Sequence, residues 1–333
     1  MNVLWRRLLV AVCLALTLRG GLARGDEKPQ PPAASPAISP IQLVTKTGTL
    51  DGGIDLPTGP GPWPVVVMIA GSGPTDRDGK QPNLKNDSLK MLGQALAARG
   101  VAVVRYDRRG IGKSAEAWHK PEEEWRIAVP VADAAEWIEL LRKDRRFTRV
   151  GVVGHSEGAL VGLLAAKRAR ADAYVSLAGA GRPAAVVLRK QLAKNVPPAL
   201  REQGDAIIDE LVAGRTVPNP PKALAAAFRP SVQPYLIDYF KYDPAKELAG
   251  LTVPALIVQG TADIQETVGD AKWLAAAKKG AQLRLIEGMG HTLKPAGNWL
   301  AQQRAYLDPA VPLAPGLADD AASFLKKALA RDR

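Results

Sequence analysis

From Val65 onward the chain alternates two textures, and this alternation limits the folds open to it. Short apolar runs, rich in valine, recur as "PVVVMIA" (64–70), "VAVVRYD" (101–107), "RVGVVGH" (149–155), "AYVSLAG" (173–179), "PALIVQG" (254–260) and "QLRLIEG" (282–288). Between them lie "SLKMLGQALAARG", "VADAAEWIELLRKD", "GALVGLLAAKRA" and "DAKWLAAAKKG", with apolar residues at three- and four-residue spacing. Continuous apolar strands separated by amphipathic helices predict an α/β fold, a mostly parallel central sheet covered by helices on both faces. Ahead of them, "LVTKTGTLDGGIDLP" reads as an antiparallel hairpin leading in.

One interval breaks the rhythm. More than seventy residues separate "AYVSLAG" from "PALIVQG", where one crossover helix would need roughly fifteen. The interval holds amphipathic stretches such as "ALREQGDAIIDELVAG" and "VQPYLIDYF", separated by prolines, so about 181–247 is expected to be a helical cap inserted over the sheet. Its aromatic residues Tyr235, Tyr239 and Phe240 are candidates for lining a substrate pocket; packing the cap onto the sheet is the other reading of them.

The amino terminus is a different matter. A basic start, "MNVLWRR", precedes the apolar "LLVAVCLALTL" and then small and polar residues. This is the layout of a secretory signal peptide over 1–25, and the apolar run is short for a membrane span. An exported protein, periplasmic or extracellular, is expected, with an uncleaved anchor as the alternative. Residues 26–40, "DEKPQPPAASPAISP", read as a proline-rich linker, which leaves 41–333 for the folded domain. Cys13 is the only cysteine and lies in the leader, so the mature chain would carry no disulfide and no thiol chemistry. The formal charge of +12 includes four leader arginines, which leaves the mature chain nearer +8. The remaining basic residues are mixed with acids, and no basic stripe interleaved with aromatics points to nucleic acid.

Five residues carry the chemistry. Gly154-His155-Ser156-Glu157-Gly158 stands between a predicted strand and a predicted helix and fits Gly-x-Ser-x-Gly, a turn that lifts a serine hydroxyl above a sheet. A serine needs a base, and the chain has three histidines. His155 adjoins the serine, but its side chain should point away from it; His119 lies in a charged loop. His291 follows the last strand, at the carboxyl edge where sites of such sheets form, and is the candidate base. Asp263, just past the strand 254–260, is the candidate partner of that base. Glu266 and Asp270 are its rivals, expected to be solvated acids at the start of the next helix. Oxyanion donors are expected from the backbone N–H of Glu157 and of Ser72, in the glycine-rich loop "AGSGPTDRDG".

Taken together, "GHSEG", "AGSGPTDRDG", "RYDRRGIGKS", "QGTAD" and "GMGHTL" resemble the alpha/beta hydrolases, nearest to the bacterial serine-aminopeptidase-like and esterase branch, over about residues 45–330. The resemblance implies that Ser156, Asp263 and His291 form a triad, that Ser72 and Glu157 supply the oxyanion hole, and that the helical insertion is the family's cap. It implies carboxylic ester hydrolysis with no cofactor and no metal. Two places depart from the pattern: Ala70-Gly71 stands where many relatives have His-Gly, and "DIQETV" delays the usual valine after the acid. The segment 105–114 has no triad member, and Asp107 reads as a structural ion-pair partner.

The expected substrate is a small-molecule ester with a short or medium acyl chain. A peptidase acting on short peptides, a thioesterase and a catalytically dead binding protein on the same scaffold are the alternatives. A carboxylate in place of Ser156 would be needed for dehalogenase chemistry. Oligomeric state is open, and no stable membrane span is expected once the leader is removed.

Overall fold

The computed structural model describes residues 38–330. The leader, Cys13 and most of the proline-rich linker therefore lie outside the described residues. Eight strands form one sheet: β1 (Ser39–Thr45), β2 (Gly48–Asp55), β3 (Trp63–Ile69), β4 (Ala102–Tyr106), β5 (Phe147–His155), β6 (Ala173–Leu177), β7 (Ala255–Gly260) and β8 (Gln282–Ile286). Their order is β1-β2-β4-β3-β5-β6-β7-β8. The first two pair antiparallel with each other and β2 with β4, and every later pairing is parallel. The hairpin begins earlier than the composition implies, because Ser39 and Pro40 pair with Ile54 and Gly53. Proline is tolerated there because β1 is an edge strand, where one lost ladder donor can face away from the sheet.

The apolar runs are continuous because both faces of the sheet are covered. Along β3, Val65, Val67 and Ile69 enter the core on one face, with Val104, Val152, Trp137 and Val161. The intervening Val66 and Met68 enter the opposite core, with Val103, Val153, Leu96 and Leu325. The period-2 alternation of strand side chains thus splits one valine run between two helix layers. Helices Ala128–Lys143 and Glu157–Arg168 cover the first face, and Ser88–Ala97 and Leu317–Ala328 the second.

Between β6 and β7 run five α-helices: Ala184–Asn195, Pro198–Val212, Ala225–Phe228, Gln233–Tyr239 and Pro244–Ala249. Their buried Leu192, Ile208, Leu211, Phe228 and Leu236 join the core of the first face, so the insertion shares a continuous apolar interior with the sheet domain. Polar ties reinforce the junction. Arg229 and Ser231 bind the Glu122 carboxylate, and Asp238 accepts from Ile127 N–H at 3.1 Å.

Candidate active site

The turn after β5 carries the strain expected of a nucleophile elbow. Ser156 has φ 55° and ψ −125°, between the end of β5 and the helix beginning at Glu157. A non-glycine residue with such angles costs of order 1–3 kcal/mol and persists only where its surroundings enforce it. Those surroundings explain both glycines. A Cβ on Gly154 would lie 2.2 Å from the carbonyl oxygen of Gly158, and one on Gly158 would lie 2.4 Å from that of Ile69. The turn closes only if neither residue has a side chain. Ser156 N–H donates to Leu177 O at 2.9 Å, which ties the elbow to β6.

His291 and Ser156 line the same groove, together with Gly71, Ser72 and His155. His291 Nδ1–H donates to Asp263 Oδ2 at 2.9 Å. The other carboxylate oxygen of Asp263 accepts from the N–H groups of Gln265 (2.8 Å) and Glu266 (3.1 Å), and Gln259 Nε2 donates to Oδ2 at 3.1 Å. Burial alone would raise the Asp263 pKa; the His291 ring and these donors outweigh it and hold the carboxyl below its ordinary value. Asp263 is therefore an ionised, fully engaged carboxylate that fixes the His291 tautomer and leaves Nε2 as the ring's free face. His119 is exposed, in a loop apart from the groove.

Ser72 lines the groove and both cavities beside it. Glu157 is the first residue of its helix, so its N–H has no intrahelical acceptor and stands where the helix dipole favours negative charge. The loop bearing Ser72 is held by charged side chains. Arg77 binds both Asp51 and Asp107, and Arg105 binds Asp55 and Asp78. Asp107 is thus committed to the loop, accepting from Arg77 N–H and Lys113 N–H at 2.9 Å each.

Five residues at or beside the site take parts that the sequence reading did not give them. Arg108 donates through Nη1 to Glu157 Oε1 (3.0 Å) and through Nη2 to Gly73 O (2.7 Å), joining the elbow's helix to the glycine-rich loop. His155 turns its ring toward the loop of the base; its Nε2–H donates to His291 O at 2.8 Å. Glu266 is only 8% exposed and Asp270 only 3%, so neither is the solvated helix-start acid expected. Asp270 pairs with Arg182 (2.8 Å) and Lys190 (3.1 Å). Glu266 Oε2 is buried without a hydrogen-bond partner, as is Gln191 Oε1, and both residues line one cavity with Ser156. His155 lies within "GHSEG", and Glu266 and Asp270 stand out as acids near Asp263, but the contacts of all five depend on chain segments distant in sequence.

The cap aromatics divide. Tyr235 donates to Glu157 Oε2 at 2.8 Å and lines a cavity with Arg108, Trp125 and Val232. Tyr239 lines the second cavity, beside Glu266 and Gln191. Phe240 is half-buried against the apolar core and lines none of the three spaces around Ser156, so packing accounts for it.

A strained serine on a strand-to-helix turn, at the carboxyl edge of such a sheet and beside an Asp-bound histidine, defines a class before any comparison. A model of the alpha/beta hydrolase family matches residues 66–305, and the chain belongs to that family. Over 261 residues it is 29% identical to "Esterase EstD" of Thermotoga maritima, an alignment covering 75% of this chain and 59% of the relative's own length. Est1E from Butyrivibrio proteoclasticus superposes with a TM-score of 0.58 at 15% identity, covering 88% of this chain and all of that one. A thermophilic esterase from Thermogutta terrifontis gives 0.52 at 16%, with the same coverage. These two likenesses establish the shared fold.

Proposed function

We propose that the chain is a serine hydrolase of carboxylic esters, with Ser156, His291 and Asp263 as its triad. The observation that carries this reading is the elbow, which lifts Ser156 into a groove shared with a histidine that Asp263 has already oriented. Ser156 Oγ attacks the ester carbonyl while His291 Nε2 takes its proton. The N–H groups of Ser72 and Glu157 bind the oxyanion, each worth about 3 kcal/mol in such sites. The alcohol leaves with the proton from His291, and water repeats the cycle on the acyl-enzyme. The 29% identity to an esterase supports this reading.

Two cavities flank Glu157, one lined by Trp125 and Val232 and the other by Val187 and Leu188. Apolar walls of this kind suit a short or medium acyl chain and its alcohol. The leader-like residues 1–25 support export to the periplasm or beyond. Purified protein and a Ser156→Ala variant, assayed on p-nitrophenyl esters from acetate to dodecanoate, test the reading. Turnover should fall by about 10³-fold or more in the variant; equal turnover in both would refute it.

A further inference from the structure

One wall of the site has more polar capacity than the proposed reaction uses. Glu266 follows Asp263 by three residues, and its main chain is pinned from both sides. Its N–H donates to Asp263 Oδ1 at 3.1 Å, and its carbonyl accepts from Gln259 Nε2 at 3.0 Å. The residue lines the cavity that also contains Ser156, and its Oε2 is buried and unpartnered. Across the same cavity, on cap helix Ala184–Asn195, Gln191 presents a second buried oxygen without a partner. An unmet buried polar atom costs about 1–3 kcal/mol, and a leucine at either position would avoid that cost. Two residues with such atoms, lining one space beside a nucleophile, are what a site looks like when its ligand supplies the missing bonds.

The charges around the space choose among ligands. Asp263 is bound to His291, Asp270 to Arg182 and Lys190, and Glu157 to Arg108. Each neighbouring carboxylate is therefore matched by a basic group. Burial, then the proximity of Asp263 and Asp270, push the Glu266 carboxyl well above its ordinary value, which favours its protonated form. A neutral acid both donates and accepts, which suits a hydroxyl and gives an ammonium no counter-charge.

Resting on the ester-hydrolase reading, we propose that Glu266 and Gln191 form a specificity subsite for a hydroxyl group carried by the substrate near its scissile ester. The hydroxyl bonds both side chains and satisfies them together. Val187, Leu188 and the Tyr239 ring, on the cap side of this cavity, hold the carbon skeleton.

The test compares ethyl butyrate with ethyl 3-hydroxybutyrate, 2-hydroxyethyl butyrate and ethyl 3-aminobutyrate, by pH-stat, on the full chain. One of the two hydroxylated esters should exceed ethyl butyrate in kcat/KM by about tenfold or more, the effect of pairing buried polar groups that are otherwise unmet. That ratio should collapse toward unity in Glu266→Leu and in Gln191→Leu. It is internal to each variant, so a general loss of folded enzyme cancels. A wild-type ratio near one for both isomers overturns the subsite, as does a ratio that survives Glu266→Leu. Preference for the amino ester overturns the hydroxyl assignment in favour of a cation. Absence of hydrolysis on all four, or hydrolysis that persists in Ser156→Ala, overturns the ester reading and this proposal with it.

Discussion

Acidification should loosen this fold through His155, and the size of the effect can be worked out. The ring is half-buried between the elbow and the base's loop, 5.0 Å from the His291 ring, and its Nε2–H is committed to the His291 carbonyl. Burial, and next the proximity of His291, bring its pKa from 6.5 down to about 4. The folded state therefore prefers the neutral ring. Above about pH 6.5 this group leaves stability untouched. As the pH falls below that, the unfolded chain takes up a proton that the folded chain refuses, until about pH 4. Between about pH 7.5 and about pH 5 the loss from this one group is about 2 kcal/mol. For a domain of this size that is about 4 °C in Tm. His155→Gln supplies an amide N–H in place of the ring donor and does not titrate. Melting both proteins by circular dichroism at the two pH values isolates the effect, since Asp263 and the other acids titrate in both. The wild-type Tm should drop about 4 °C further than the variant's. Parallel drops would refute the depressed pKa and, with it, the picture of a ring held in its neutral form.

Two further outcomes follow from the site's hydrogen bonds. Asp263→Asn should lower kcat by about 10⁴-fold with little change in KM, because an amide favours the wrong His291 tautomer; steady-state kinetics on a p-nitrophenyl ester checks it, and an unchanged kcat would remove Asp263 from the mechanism. Arg108→Lys cannot hold Glu157 Oε1 and Gly73 O at once, so kcat per titrated active site should fall about tenfold while KM changes less; an unchanged kcat per active site would remove Arg108 from the support of the proposed oxyanion donors.

Much of this arrangement is legible in one dimension because it depends on local rules. Valine runs mark strands that are buried on both faces, and the alternate burial of Val65, Val66 and Val67 follows from strand geometry alone. The elbow is legible because a clash, 2.2 Å at Gly154 and 2.4 Å at Gly158, forbids any other residue. The pairing of Asp263 with His291 follows from topology, which brings the ends of β7 and β8 to one edge. What the sequence hides is contact between distant segments. Arg108 and Glu157 are far apart in the chain, and nothing near either announces the other. Glu266 looks like an ordinary helix-start acid until the cap helix carrying Gln191 closes over it. Pro40, read as linker, belongs to an edge strand because β2 offers it a partner.

Glu157 shows why the hidden contacts concern specificity more than chemistry. Its N–H opens the helix that follows Ser156, while its carboxylate binds Arg108 from the β4 side and Tyr235 from the cap. One residue thus couples a proposed oxyanion donor to the cap through a bond network that is largely buried. Removing Arg108 would leave a carboxylate with one neutral donor in a poorly solvated place, which is more costly than an unmade surface bond. The groove that holds Ser156 and His291 is built from loops at the end of the sheet, but each cavity beside Glu157 has one wall from the cap: Val232 and Tyr235 in the first, Gln191 and Tyr239 in the second. Exchanging cap residues should therefore alter which ester is taken while leaving the Ser156, His291 and Asp263 geometry in place, whereas changes at Glu157 or Arg108 should reach both.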